Sequence, residues 1–287
     1  MFAIYKREVK SYFINMTGFV FITLLLLLMG IFTTAYNLLL TYASMTYAIG
    51  SMEVVFLLTV PILTMKVIAD DRRLGTDRLL YSLPIKIRKI VLAKYLAMLT
   101  VFIIPVMIIA AYPLLLGLFG SVPLYPSYAA LLGFFFLGAS LIALCTFLSA
   151  LTESQVIAAV LGFGVTLGIY LLPTLVTMIP TSAIASFGAF LLLESALSAV
   201  LWLLTHHLQI TLIAAALQVL PTVIVFLVKS TLFEGLFPTL ISKLALFTRF
   251  EQLVSGIFDL TAIVYFVSVI VFFLFLSAGV MEKKRQG

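Results

Sequence analysis

Few residues in this chain are of a type and spacing that could do chemistry. Asp70, Asp71 and Asp77 could hold a metal-bound diphosphate only if their carboxylates converged. Asp77 falls too far along for that, and Arg72, Arg73 and Arg78 are interleaved, so the group reads as a solvated loop. His206 and His207 are adjacent; on a helix they would point about 100° apart and could not easily share one metal. Cys145 is the only cysteine, which excludes an intrachain disulfide and a cysteine-based metal cluster. No G-x-x-x-x-G-K-[ST] segment exists to cradle a nucleoside triphosphate. Asn15 and Thr17 form a glycosylation sequon, discounted because it falls on the side assigned below to the cytoplasm. Glu194 is harder to dismiss. An acid near the middle of an apolar stretch costs several kcal/mol if charged and lipid-facing. It therefore belongs to a substrate or proton path, or it is hydrogen-bonded within a bundle. No cofactor or metal is expected on this chain.

The elements that would position these residues are lipid-spanning helices. The 287-residue chain is 64% hydrophobic and only 10% charged, and its mean hydropathy is +1.27. Soluble domains have about 25% charged residues. A span needs about 20 mostly apolar residues. The expected fold is all-α, a single polytopic membrane domain with about eight transmembrane helices. They lie near residues 18–40, 47–69, 95–118, 128–150, 155–176, 183–204, 208–228 and 260–281. Gly120, Pro123 and Pro126 divide the long uncharged run between residues 95 and 152. Glu53, Lys66 and Glu194 interrupt the second and sixth segments, Lys66 being able to extend its stem along the helix to the interface. In a six-span alternative, the two helices around His206 are interfacial or re-entrant. Either number puts both termini on one side. The apolar stretch beginning at Gly18 is too long for a cleavable signal and reads as an anchor.

Orientation follows from the distribution of Lys and Arg. Taking the amino terminus as cytoplasmic leaves only Lys229, Lys243 and Arg249 outside, of 17 basic residues. The sequence pI of about 9.4 is thus a topology signal, and these charges do not form the aromatic-laced groove of a nucleic-acid binder. The expected localisation is the cell membrane, with both termini inside.

Three polar segments carry amphipathic patterning. Residues 1–15 mix Phe2, Ile4, Tyr5, Val9, Tyr12 and Phe13 with Lys6, Arg7, Glu8 and Lys10, which suits an elbow helix along the cytoplasmic surface. In the loop 70–94, Gly75 precedes a short helix that Thr76 can cap. Leu79, Leu80 and Leu83 give that helix an apolar edge and Pro84 stops it. Arg88, Lys89 and Lys94 then form a basic margin as the chain re-enters lipid. The segment 229–259 is expected outside, with Phe247, Phe250, Leu253, Val254, Ile257 and Phe258 on one face of an interfacial helix. Gly164 and Gly168 place small residues on one helix face, a contact surface either within the chain or between subunits.

Taken in order, these segments resemble the ABC type-2 permeases, the membrane subunits of ATP-driven exporters. The loop with Gly75, Thr76, Leu79, Leu80 and Pro84, then Ile90, Lys94 and Tyr95, is similar to that family's "GT, two leucines, short gap, proline, basic re-entry" pattern. FAIYKREVKSYF is similar to its usual start. FTRFEQLVSGIFDLTAIVYF, followed by a last span and EKKR, resembles the branch of gliding-motility and copper-enzyme-maturation permeases. The resemblance implies a permease without its own nucleotide site, paired with a second permease copy or paralogue and with two cytoplasmic ATPase subunits that hold ATP and Mg. It also implies docking of the elbow and first cytoplasmic loop on the ATPase, which gives Gly75, Thr76, Leu79, Leu80 and Pro84 a coupling role. In such transporters the first and fifth spans meet across the dimer, a role that would fall to Gly164 and Gly168. Typical members have six spans, so residues 183–228 look like an added pair. The competing class is an ATPase-independent secondary transporter or a non-transporting scaffold.

Overall fold

The structure, a computed structural model, describes residues 1–76, 85–178, 180–205, 208–256 and 258–286. It is 84% helical, and no strand occurs among the described residues. Two compact units are formed, one from Met1–Gly168 with Arg249–Gly287 and the other from Ile169–Thr248.

The first unit begins with α1 (Phe2–Ile14). A left-handed Met16 turns the chain into α2 (Thr17–Thr33), whose last turns widen into a π-helix over Thr34–Leu39. Next come α3 (Thr46–Ser51), α4 (Glu53–Thr64) and the short α5 (Ala69–Arg73). Beyond Pro84 the chain forms α6 (Ile87–Ile109), α7 (Tyr112–Gly117), α8 (Leu124–Leu151) and α9 (Gln155–Thr177), the last of which belongs to the second unit from Ile169 onward. The last helix, numbered α14 in chain order, spans Leu260–Gln286.

Helix α8 is the axis of this unit. Of its most apolar 18 residues 78% are buried, against 17% for the corresponding stretches of α9 and α14, so those two are peripheral. α4, α6 and α14 pack around it, and Phe56, Phe102 and Phe134 join their rings at its centre, with centroids 4.5 to 5.9 Å apart. Gly138 admits this cluster, because a Cβ there would collide with Phe102. Large apolar side chains such as Leu27, Ile31, Val160, Val264, Val271 and Phe275 remain more than half exposed on the outer helices. That is the surface a lipid environment covers.

In the second unit, α10 (Ala183–Thr205) and α11 (Leu208–Val228) pack against each other. Phe187 stacks on Phe226 at 4.2 Å, and Phe233 meets both rings edge-on. A 3₁₀ turn over Ser230–Phe233 leads to α12 (Leu236–Leu244), with a bend of 117° between the arms. α13 (Leu246–Val254) crosses the boundary between units.

Five helices are long and apolar enough to cross a membrane, Thr17–Leu39, Ile87–Gly117, Leu124–Leu151, Gln155–Thr177 and Leu260–Arg285. The bent pair Leu212–Val228 and Ser230–Leu244 makes up to six. The expected span at 47–69 is instead divided at Met52 into α3 and α4, neither of span length. The third begins at Ile87 rather than 95, because Ile87, Ile90 and Val91 are buried and draw the basic margin into the helix. α13 ends at Val254 rather than 258. Gly256 follows at φ +84°, close enough to Pro126 that a Cβ would lie 3.3 Å away. Phe250 and Leu253 are fully buried, so this face is packed against protein and does not lie on an interface.

Candidate functional site

The polar groups of the first unit converge at the end that carries both termini. Lys94, which the charge pattern assigns to the basic margin, is instead 1% exposed. It stands on the buried stripe of α6 made by Ile87, Ile90, Val91, Met98 and Val101. A lysine buried in this way needs partners, and three are present. Its Nζ lies 2.5 Å from Asp71 Oδ2 and 3.1 Å from Glu8 Oε1, and it donates to the Val67 carbonyl at 2.7 Å. One cation thus ties together α1, α5, the turn before α5 and α6.

Each partner is itself held. Arg7 pairs with Glu8 at 2.6 Å. Ile4 packs with Ile90 and Ala93, and the Tyr5 hydroxyl meets Thr100 Oγ1 at 2.9 Å, which fixes α1 along α6. Tyr12 donates to the Leu63 carbonyl at 3.1 Å. The helix over Phe2–Ile14 has Ile4 and Tyr12 buried against protein and Phe2 exposed. The turn after α4 is fastened to the end of α8: the Ile68 and Ala69 amides donate to Ser149 Oγ at 3.4 and 3.2 Å. Arg72 donates to the Ala150 carbonyl, capping α8 as a basic group at a helix carboxyl end does. The Gln155 amide donates to Asp70, which also pairs with Arg73 at 3.0 Å.

Of the residues expected to contact an ATPase, the structure brings Thr76 directly into this network. Its hydroxyl donates to Asp71 Oδ1 at 2.9 Å, so one carboxylate bridges Thr76 and Lys94. Gly75 adopts φ +68°, a left-handed conformation that glycine takes without strain, and reverses the chain after α5. Leu79, Leu80 and Pro84 lie outside the described residues, as do Asp77, Leu83, His206 and His207. The same end gathers the other termini: Lys284 reaches Glu153 at 3.8 Å, and the Arg88 guanidinium sits over the Phe275 ring at 5.2 Å.

The remaining candidates lie elsewhere. Gly164 and Gly168 have open space where a Cβ would point, whereas the neighbouring Gly162 packs on Pro61 at 3.1 Å. Among the described residues, intrachain packing therefore uses Gly162 and leaves the Gly164–Gly168 face open. In the second unit Glu194 Oε1 accepts a hydrogen bond from the Thr222 hydroxyl at 2.6 Å, across α10 and α11. Cys145 is buried. Among the described residues no three His, Cys, Asp or Glu side chains converge as a metal site would require. The signal that could have singled out Lys94 is its position, four residues after Ile90 and three after Val91 on an otherwise apolar stripe. The identity of its partners was invisible locally, since Glu8 lies 86 positions away.

Comparison of the chain with family models, with curated proteins and with solved structures found no match in any of the three.

Proposed function

We propose that this chain is the membrane-spanning permease subunit of an ATP-binding-cassette transporter, an exporter, driven by two separate cytoplasmic ATPase subunits. The observation that carries the reading is the buried Lys94, which joins the amino-terminal helix and the loop leading to Thr76 to the base of a long apolar helix. A push on that loop is delivered to α6 through short, charge-assisted bonds rather than dissipated in a slack connection.

In this reading α1 is the elbow, and Gly75, Thr76, Leu79, Leu80 and Pro84 form the ATPase contact. The partner supplies the ATP and Mg site. Both termini are cytoplasmic, and eight spans cross the cell membrane when α3 and α4 are counted together as one broken span and α10 and α11 as the added pair. Gly164 and Gly168 face a second permease copy or paralogue. The apolar edge of three leucines contributes a few kcal/mol to docking, at about 25 cal/mol per Å² of apolar surface.

The test is to co-express the chain with an ATPase encoded beside it, purify the complex and reconstitute it. Substrate-stimulated ATP hydrolysis is expected, with loss of transport but not of membrane insertion in Leu79→Asp and Leu80→Asp. Normal ATP-dependent transport by those variants, or failure of the two proteins to co-purify, rejects the assignment. In the secondary-transporter alternative Glu194 would do the coupling; its bond to Thr222 gives it a packing role. Unchanged transport by Glu194→Gln is the expected result.

A further inference from the structure

At the end of the first unit away from the termini, α3, the start of α4, the turn before α8 and the end of α13 surround an open cavity of about 620 Å³. Small-molecule sites typically measure about 300–1,000 Å³. Two carboxylates, Glu53 and Glu251, line it, and none of the residues around it is a Lys, Arg or His. No ion pair to either is formed among the described residues. One oxygen of Glu53, Oε2, is shut off from solvent yet accepts no hydrogen bond. An acid at the first position of α4 complements the helix dipole, which accounts for Glu53 in its place but not for Glu251 facing the same space, nor for the orphaned oxygen.

We propose that this cavity binds an organic cation, an amine or quaternary ammonium carried on an apolar body of a few hundred daltons. The two carboxylates supply the charge. Tyr47, more than half exposed, supplies ring surface, and aromatic faces attract cations of this kind. Tyr47 is held in place by its neighbour Tyr42, with ring centroids 4.7 Å apart. Ser51 and Ser255 add hydroxyls that can accept from an N–H donor. A calcium ion would need six to eight oxygens at about 2.3–2.6 Å, and no three acidic or other metal-binding side chains converge among the described residues. The proposal is independent of any ATPase, because it concerns a site within this chain alone.

The experiment uses the full chain, purified in detergent at low ionic strength, with ethidium as a fluorescent cation titrated by anisotropy and tetraphenylphosphonium as competitor. Saturable, competable binding is expected. Glu53→Gln and Glu251→Gln should each weaken it about tenfold, the scale of one lost charge contact in a partly wet cavity. Glu251 is exposed, so its substitution leaves folding intact, which an unchanged gel-filtration profile verifies. Binding that does not saturate, or equal affinity in Glu251→Gln, overturns the proposal. Displacement of ethidium by micromolar calcium overturns it in favour of a metal site.

Discussion

Replacing Lys94 by Met tests the central feature of the first unit. The substitution keeps an unbranched stem of similar reach and removes only the charge and its donors. Three bonds disappear together, to Asp71 at 2.5 Å, Glu8 at 3.1 Å and the Val67 carbonyl at 2.7 Å. Breaking a buried pair by removing one partner typically costs about 3–5 kcal/mol, because the other charge is stranded. Here Glu8 keeps Arg7 at 2.6 Å, and the Glu8 and Asp71 side chains retain 12% and 19% exposure, so water relieves part of the penalty. The lower end applies, about 3 kcal/mol, or about a hundredfold in the folding equilibrium. Glu8→Gln should cost less, about 1 kcal/mol, since Lys94 then keeps Asp71. The assay is unfolding in mixed micelles titrated with SDS, run as a double-mutant cycle over Lys94→Met and Asp71→Asn. A coupling energy of at least about 1 kcal/mol is expected for residues in one ion pair. A loss below about 0.5 kcal/mol, or additive effects of the two changes, would refute the hub and return Lys94 to the solvated basic margin.

Further outcomes follow from individual contacts. A Cβ at Gly133 would lie 2.9 Å from Leu253 Cβ, and Leu253 is fully buried, so Gly133→Ala should destabilise by about 1–3 kcal/mol through overpacking and make α13 more sensitive to protease, as limited proteolysis can measure. Gly75→Ala places a side chain at φ +68°, which should cost about 1–2 kcal/mol, read in the same SDS titration, while Gly75→Asn is better tolerated. Asp259 accepts bonds from both the hydroxyl and the amide of Thr261, and these hold its carboxyl below the ordinary 3.8. Its contribution is therefore complete above pH 3.8 and is lost as pH falls through the lower folded value. Stability measured against pH should decline in that acidic window, and Asp259→Asn should remove this component of the decline.

What the sequence made legible depended on whether the signal was local. The apolar runs that became α2, α8, α9 and α14 could be read directly, because uninterrupted length is a property of neighbouring residues. The break at Met52 could not. The segment around α3 and α4 carries only Glu53 and Lys66 as charges in a largely apolar run, and the turn that follows α4 is fixed by Ser149, which lies 80 and more positions from the amides it binds. Charge was misleading in a definite way. Counting Lys94 with Arg88 and Lys89 treats all three as equivalent, but only Lys94 falls in phase with the buried face of α6. Spacing alone gave the carboxylates of the 70–76 segment no catalytic role, and Asp71 proves to hold Lys94 and Thr76, partners that spacing cannot reveal. Gly164 and Gly168 were recognisable as a small-residue face. The structure adds that among the described residues nothing lies within 4 Å of where a Cβ at either would point.

A buried lysine is an unusual fastener, and its use here bears on mechanism. Well-packed apolar residues in place of a buried ion pair are often as stable or more so, so stability alone does not explain why α1, α5 and α6 meet on a charge. Apolar surfaces can slide past each other with little loss, whereas Lys94 satisfies its three acceptors in one register only. The consequence is separable in experiment. The triple variant Glu8→Gln, Asp71→Asn, Lys94→Met leaves no stranded charge among these three residues and should recover most of the stability lost by Lys94→Met alone. On the permease reading proposed above, the same variant, with the register loosened, should hydrolyse ATP in the reconstituted complex with little substrate stimulation. A triple variant that is stable and fully coupled would show that the loop transmits its motion by some other contact, and that the lysine serves packing alone.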